Sequence, residues 1–350
     1  MGIAEGEEVL GAAFAEMGNE SVAFYTESTI GLFSLAQNRI CLKQKLSQQR
    51  VSSIVRQMVV NPVLGTIAVF VEVADSPGGV GGCSGGAQFQ NLIIIWPSGQ
   101  LQEEEPLKIS VGSSSDPPPG ADVEFAPPAL VGSTGDVPMV LLGRLCSGKV
   151  ICWHLNSASS QLVSEHDITR RGGVVAISGD GAWAAIDNLG AADNERLEIW
   201  RFSSYRKCER VAQLSKRPHC LAIMQQDALL EDGTASGHGA ALVAVGEGGN
   251  PEVASVAPAP IEVLLVRADG MSVTTYRVQA EWPCRVLSFA HSNAGLLLSA
   301  HADGLVNVSN LHTGQTRSAH DDVAVRSICS SPDRALIVTA AASGFRIFRP

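Results

Sequence analysis

Aromatic and charged side chains are both scarce in this 350-residue chain, at 5% and 17%, against 45% hydrophobic residues. A core of that composition rests on small aliphatic side chains, chiefly Ala, Val and Leu, together with Gly. No apolar run approaches the ~18–20 residues that a membrane-crossing helix needs. No amphipathic stretch keeps a helical period for long, because 35 Gly and 17 Pro interrupt nearly every apolar run, and that disfavours a helical fold. Excess positive charge is also missing. A net charge of −10 and a pI near 5.3 argue against broad attraction to nucleic acid or anionic membrane.

Chemistry-bearing motifs are absent as well. The chain has no G-x-S-x-G, H-E-x-x-H, Walker-type G-x-x-x-x-G-K-[ST] or dinucleotide loop after a strand. The closest to a phosphate loop, GGVGGCSGG at 78–86, has no Lys and no helix to follow, and reads as linker. The eight histidines never pair at metal-like i, i+2 or i, i+4 spacing, and the eight cysteines include no C-x-x-C. The cysteines read as small buried thiols of a reducing compartment. The start, MGIAEGEEVL, has neither a basic n-region nor a long apolar segment, and Gly6 fails the myristoylation pattern. A cytoplasmic or nuclear protein with no enzymatic activity, no cofactor and no metal is expected.

What the chain does have is regular punctuation, clearest in residues 301–350. Ala302-Asp303-Gly304 is a tight turn, since Asp and Gly accept the left-handed backbone that short hairpins need. Short apolar strands follow, separated by HTGQ around Gly314, SPDR at 331–334 and Ser343-Gly344. Strand after short strand with turn chemistry every ~8–12 residues predicts an all-β sandwich, barrel or propeller. A four-residue signature ending in an aromatic or a substitute for one recurs seven times. The copies are IGLF to Phe33, IIIW to Trp96, VICW to Trp153, LEIW to Trp200, VLLV to Val266, VNVS to Ser309 and FRIF to Phe348. The shorter spacings fall near the ~40–45 residues of a propeller blade. The longer ones contain Gly/Ser/Pro/Ala-rich stretches at 75–90, 112–122 and 231–260, which read as flexible surface insertions.

The order of these parts, a His ahead of one strand, SPD ahead of the next and Ser/Asp-Gly ahead of a third, resembles the WD-repeat β-propeller family, although no copy carries Trp-Asp itself. The resemblance implies one domain over residues 1–350, a seven-bladed β-propeller of four-stranded antiparallel blades. The expected blades cover 9–46, 52–109, 121–166, 173–214, 218–279, 284–318 and 322–350. It also implies a structural hydrogen bond from His320, ahead of blade seven, to Thr339 in that blade's second strand. Blade seven ends at its third strand. Its missing outer strand is expected either from residues 1–8, which would close the ring, or from a partner adding a strand at the open edge.

Basic residues are few, so their grouping carries information. Arg201, Arg206, Lys207, Arg210, Lys216 and Arg217 fall between the third strand of blade four and the start of blade five. Arg39, Lys43, Lys45, Arg50 and Arg56 follow blade one's third strand. Arg170-Arg171-Gly172, between blades three and four, is similar to the Arg-Arg-Gly of the phosphoinositide-binding propellers of autophagy, without the aromatic that precedes it there. That similarity implies both arginines on headgroup phosphates at a membrane surface. The expected function is a non-enzymatic scaffold or adaptor subunit of a larger intracellular complex. Other protein subunits are the expected partners, direct nucleic-acid binding is not expected, and the alternative is a peripheral membrane protein acting through Arg170 and Arg171.

Overall fold

The structure, a computed structural model, describes residues 7–15, 21–46, 53–60, 67–74, 89–96, 106–111, 129–130, 138–144, 149–156, 161–178, 182–204, 207–226, 239–247, 260–278, 282–290, 295–320, 323–331 and 336–349. They form seven antiparallel sheets arranged as a seven-bladed β-propeller. Within each sheet the strands pair in chain order, so each blade is a meander running from an inner to an outer strand.

Blade one runs from Gly11–Phe14 to Arg39–Lys45 and blade two from Ser53–Val60 to Leu107–Val111. Blade three runs from Ala129–Leu130 to Gln161–Thr169, and blade four from Gly172–Ile177 to Lys207–Leu214. Blade five spans Pro218–Gln226 to Ser272–Val278, and blade six Cys284–Phe289 to Thr316–His320. Blade seven has three strands, Val325–Ser330, Ile337–Ala341 and Gly344–Phe348.

Every copy of the four-residue signature lies in the third strand of its blade. The reason is burial. In the four-stranded blades a third strand sits between two others and between two neighbouring blades, so both faces are largely apolar and the strand reads as a near-continuous hydrophobic run. Trp96 and Trp153 close two of these runs at 1% exposure, and truncating either would cost about 3–5 kcal/mol. The turns between strands follow their residues. Gly304 (φ 89°) takes the left-handed conformation while the Asp303 carboxylate accepts the Leu305 N–H at 3.0 Å, and Gly314 (φ 71°) does the same between third and outer strands.

The core is divided among the blade interfaces, with one apolar cluster at each of the seven. Tyr25 and Ile30 meet Val55 and Ile67 between blades one and two, and Phe70 and Ile93 meet Ile151 and Trp153 between two and three. Leu142 and Cys152 meet Ile177 and Phe202, Trp183 and Ile199 meet Val243, and Val263 meets Leu287 and Phe289. Leu298 and Val306 meet Ile328 and Ile337. The ring closes where Phe14, Phe24 and Phe33 of blade one pack on Val338 and Ala340 of blade seven, with the Phe345 ring edge-on to Phe33 at 5.4 Å. Ser327 Oγ also accepts the Ala12 N–H across that interface at 3.2 Å.

Two expectations about segments need correction. The stretch 231–260 is not one insertion, because Ala240–Glu247 within it is the second strand of blade five and is buried along almost its whole length. Likewise 89–90 begin the third strand of blade two rather than ending a loop. In the first case the Gly-rich flanks enclose the small-residue strand AALVAVGE, and in the second the strand that carries IIIW simply starts earlier, at Phe89. The rest of 75–90, all of 112–122 and the remainder of 231–260 except 239 and 260 lie outside the described residues.

Candidate functional site

The hydrogen bond expected from His320 to Thr339 does not form. His320 ends the outer strand of blade six and is exposed, whereas Thr339 is 1% exposed and its hydroxyl has no hydrogen-bond partner among the described residues. His320 belongs to the ladder of the preceding blade, where it pairs with Leu305, so its ring is not aimed at the second strand of blade seven.

A different histidine holds a blade together. His301, at the end of blade six's second strand, is buried, and its Nδ1 donates to the Trp282 carbonyl at 3.0 Å. That bond fixes Nε2 as the acceptor of the neutral ring, and Ser299 Oγ (3.0 Å) and Asn307 Nδ2 (3.2 Å) both face it. The Asn307 carbonyl in turn accepts the Ser318 hydroxyl at 2.7 Å. The chain therefore runs from the lead-in of blade six across its second, third and outer strands. It was visible in the sequence as polar residues at alternate positions of otherwise apolar strands, LLLSAH and LVNVSN.

Most of the cations between 201 and 217 have internal partners. The Arg201 guanidinium lies 5.7 Å from the centre of the Trp183 ring. Arg210 Nη1 donates at 2.7 Å to Glu198, a carboxylate only 1% exposed that also accepts from Trp200 Nε1 and Asn188 Nδ2, each at 3.0 Å. Lys216 Nζ donates to Glu262 at 2.5 Å and lies 3.7 Å from Glu247, and Arg277 reaches Glu262 at 3.0 Å. These bonds, Lys216's first, hold the Glu262 carboxyl below its ordinary value against the opposing effect of burial. Arg217 pairs with Asp193 at the surface. Arg206 lies outside the described residues, and Lys207 is placed only as the first residue of blade four's outer strand. The stretch is thus mainly the cationic half of an internal set of ion pairs, and its acidic half, Glu198 and Glu262, sits inside apolar strands.

Arg170 and Arg171 differ from that group. Both are exposed on the connection from blade three to blade four, and neither has an ion pair among the described residues. The Arg171 carbonyl accepts the Leu189 N–H at 2.7 Å, and its own N–H donates to Thr169 Oγ1 at 3.4 Å, so the turn is fixed by its backbone.

The edge of blade seven is the remaining candidate. Gly344–Phe348 is the last strand of its sheet and has no strand on its outer side among the described residues. Its residues are half-buried or exposed, where the third strand of blade five is almost wholly buried. Of residues 1–8, only Glu7 and Glu8 are described. Glu7 accepts from Ser28 and Lys43 of blade one, and Glu8 accepts from Arg326 in blade seven's inner strand. Residues 1–6, on which closure by the N-terminal segment depends, lie outside the described residues.

The described cysteines are free, and burial pushes the Cys329 thiol up to about 11. Among the described residues no three His, Cys, Asp or Glu side chains gather as metal ligands, and no helix is long and apolar enough to cross a membrane. No protein-family model matches the chain, and no curated protein matches it.

Proposed function

We propose that the chain is a WD-repeat-like propeller that acts as a non-enzymatic interaction scaffold, an adaptor subunit of a larger intracellular complex. The observation that carries this reading is the third strand of blade seven. Gly344–Phe348 has no strand on its outer side among the described residues, while Phe345 and Ile347 hold the strand onto blade one and Phe348 holds it onto blade six. A firmly held edge with no neighbouring strand among the described residues suits a partner that adds one strand, because main-chain hydrogen bonds supply affinity and the ordering cost has already been met.

The test places a photo-crosslinking amino acid at Arg346, the exposed residue of that strand, and separately at Thr274 in the complete outer strand of blade five. A discrete intermolecular adduct at 346 and none at 274, in the cells that make the protein, is the expected result. An adduct mapping to residues 1–6 of the same chain would show the edge to be closed internally and would overturn the strand-addition reading.

A second reading rests on Arg170 and Arg171, two exposed arginines with no ion pair among the described residues. Side by side on a fixed turn, they suit phosphate groups of a phosphoinositide surface. Flotation with phosphoinositide vesicles at low salt, lost when both are changed to Ala, is its expected signature, and no binding at low salt would end it.

A further inference from the structure

The inner strands share a feature that the sequence does not show. In blades two, five, six and seven the ladder between inner and second strands slips by one residue near the head of the inner strand. The unpaired residue of each bulge is Arg56, His219, Arg285 and Arg326 in turn. A bulge re-aims one side chain out of the pleat without disturbing its neighbours, and here every such one-residue slot holds a basic side chain on a protein of net charge −10.

Blades five, six and seven are consecutive, so three of the slots make one arc. Arg285 is exposed and has no ion pair among the described residues. His219 lies close enough to feel it. Burial first and the Arg285 charge second push the His219 pKa below its ordinary value, so near neutral pH the ring serves as a hydrogen-bonding group beside the arginine. Arg326 shows what the arc binds. Its Nη2 donates to the Glu8 carboxylate at 2.8 Å, and its Nη1 donates to the Val9 carbonyl at 3.4 Å, gripping an extended acidic stretch of the chain itself by side chain and main chain together.

Trp282, three residues ahead of Arg285 in the chain, is 52% exposed although large and apolar. The His301 bond to its carbonyl and the Ala302 N–H bond to the Pro283 carbonyl (3.1 Å) hold that lead-in in place. An exposed aromatic side chain on a fixed backbone, three residues ahead of an exposed arginine with no ion pair among the described residues, has the makings of an interface anchor.

We propose that this arc at the heads of the inner strands of blades five to seven is a docking site for a short acidic polypeptide segment, with Arg285 and Arg326 taking its carboxylates and Trp282 packing against its chain. A short segment fits better than a long polyanion. The arc is local, and the rest of this acidic molecule repels an extended negative ligand. The proposal rests on the scaffold reading but uses a different surface from the blade-seven edge.

The experiment is fluorescence anisotropy of a fluorescein-labelled peptide of about ten residues, alternating Glu and Gly, titrated with the 350-residue protein at low salt. Saturable binding is expected. Arg285→Glu should weaken it about tenfold or more, and Glu8→Gln, which frees Arg326, should tighten it. Arg39→Glu, a charge reversal at the first residue of the outer strand of blade one, should leave it unchanged. Circular dichroism matching the wild type confirms that each variant is folded. Absence of saturable binding, or equal weakening by Arg285→Glu and Arg39→Glu, overturns the proposal. So does tighter binding of a single-stranded oligonucleotide of equal length. Crosslinking at position 346 is read independently, so loss of the arc site leaves the edge reading standing, and the converse holds.

Discussion

Changing Thr339 to valine should make this protein more stable. The residue sits in the second strand of blade seven, on the same side as Ile337, which packs into the apolar cluster between blades six and seven. It is 1% exposed and its hydroxyl has no hydrogen-bond partner among the described residues. Burying a hydroxyl unpaired costs about 1–3 kcal/mol, and valine keeps the β-branched frame while exchanging that oxygen for a methyl of similar size. The unfolded chain recovers part of the difference, so a net gain of about 1 kcal/mol is expected, roughly fivefold in the folding equilibrium. Urea unfolding should show a higher midpoint with an unchanged slope. His320→Ala, at an exposed position, should change stability by less than about 0.5 kcal/mol, and the double mutant should be additive. A destabilised Thr339→Val, or a coupling of about 1 kcal/mol with His320→Ala, would refute the reasoning and restore the bond that the family resemblance implied.

Other perturbations follow from the same structure. Glu198→Ala removes the acceptor for Arg210, Trp200 and Asn188 from a buried position and should cost about 3 kcal/mol by urea unfolding. His301→Ala should cost about 2–3 kcal/mol and, more tellingly, speed amide exchange at 282–284, where its Nδ1 bond fastens the backbone. Stability should fall on the acid side in two stages. The folded protein resists protonating His219, whose pKa is depressed, while the unfolded chain protonates it normally, so stability is full above about pH 6.5 and declines below it. Glu7 and Glu262, held low by the hydrogen bonds they accept, add stability above about pH 4.5 that is lost as the pH falls through their folded values. His219→Gln should flatten the first stage alone in a pH series of urea midpoints.

The propeller was legible because third strands must be apolar on both faces, and a run such as IIIW or VICW survives variation in everything around it. The turn residues Asp303, Gly304 and Gly314 were legible for the same local reason. Partnership across strands was not. Glu198 and Glu262 interrupt LEIW and IEVLLV as lone carboxylates, and an acid inside a buried strand signals a cation nearby, but which one depends on how outer strands fold back. The basic residues between 201 and 217 therefore looked free when Arg210 and Lys216 were already matched. Blade seven's second strand misled in the opposite way. The motif order placed a histidine opposite Thr339, whereas the strand that carries His320 runs on as the outer edge of blade six. The bulges had no sequence signal, because a slip in register is a property of two strands together.

Those bulges carry a last consequence. His219, Arg285 and Arg326 belong to none of the apolar clusters that hold the sectors together, so each can change without removing a core side chain. Arg56, His219, Arg285 and Arg326 occupy equivalent addresses around one circumference, while the slip in blade four spans Gly173 and Val174 instead. The rim can thus be rewritten one character at a time, and a protein of this shape can change what it recognises by single substitutions that spare its apolar core.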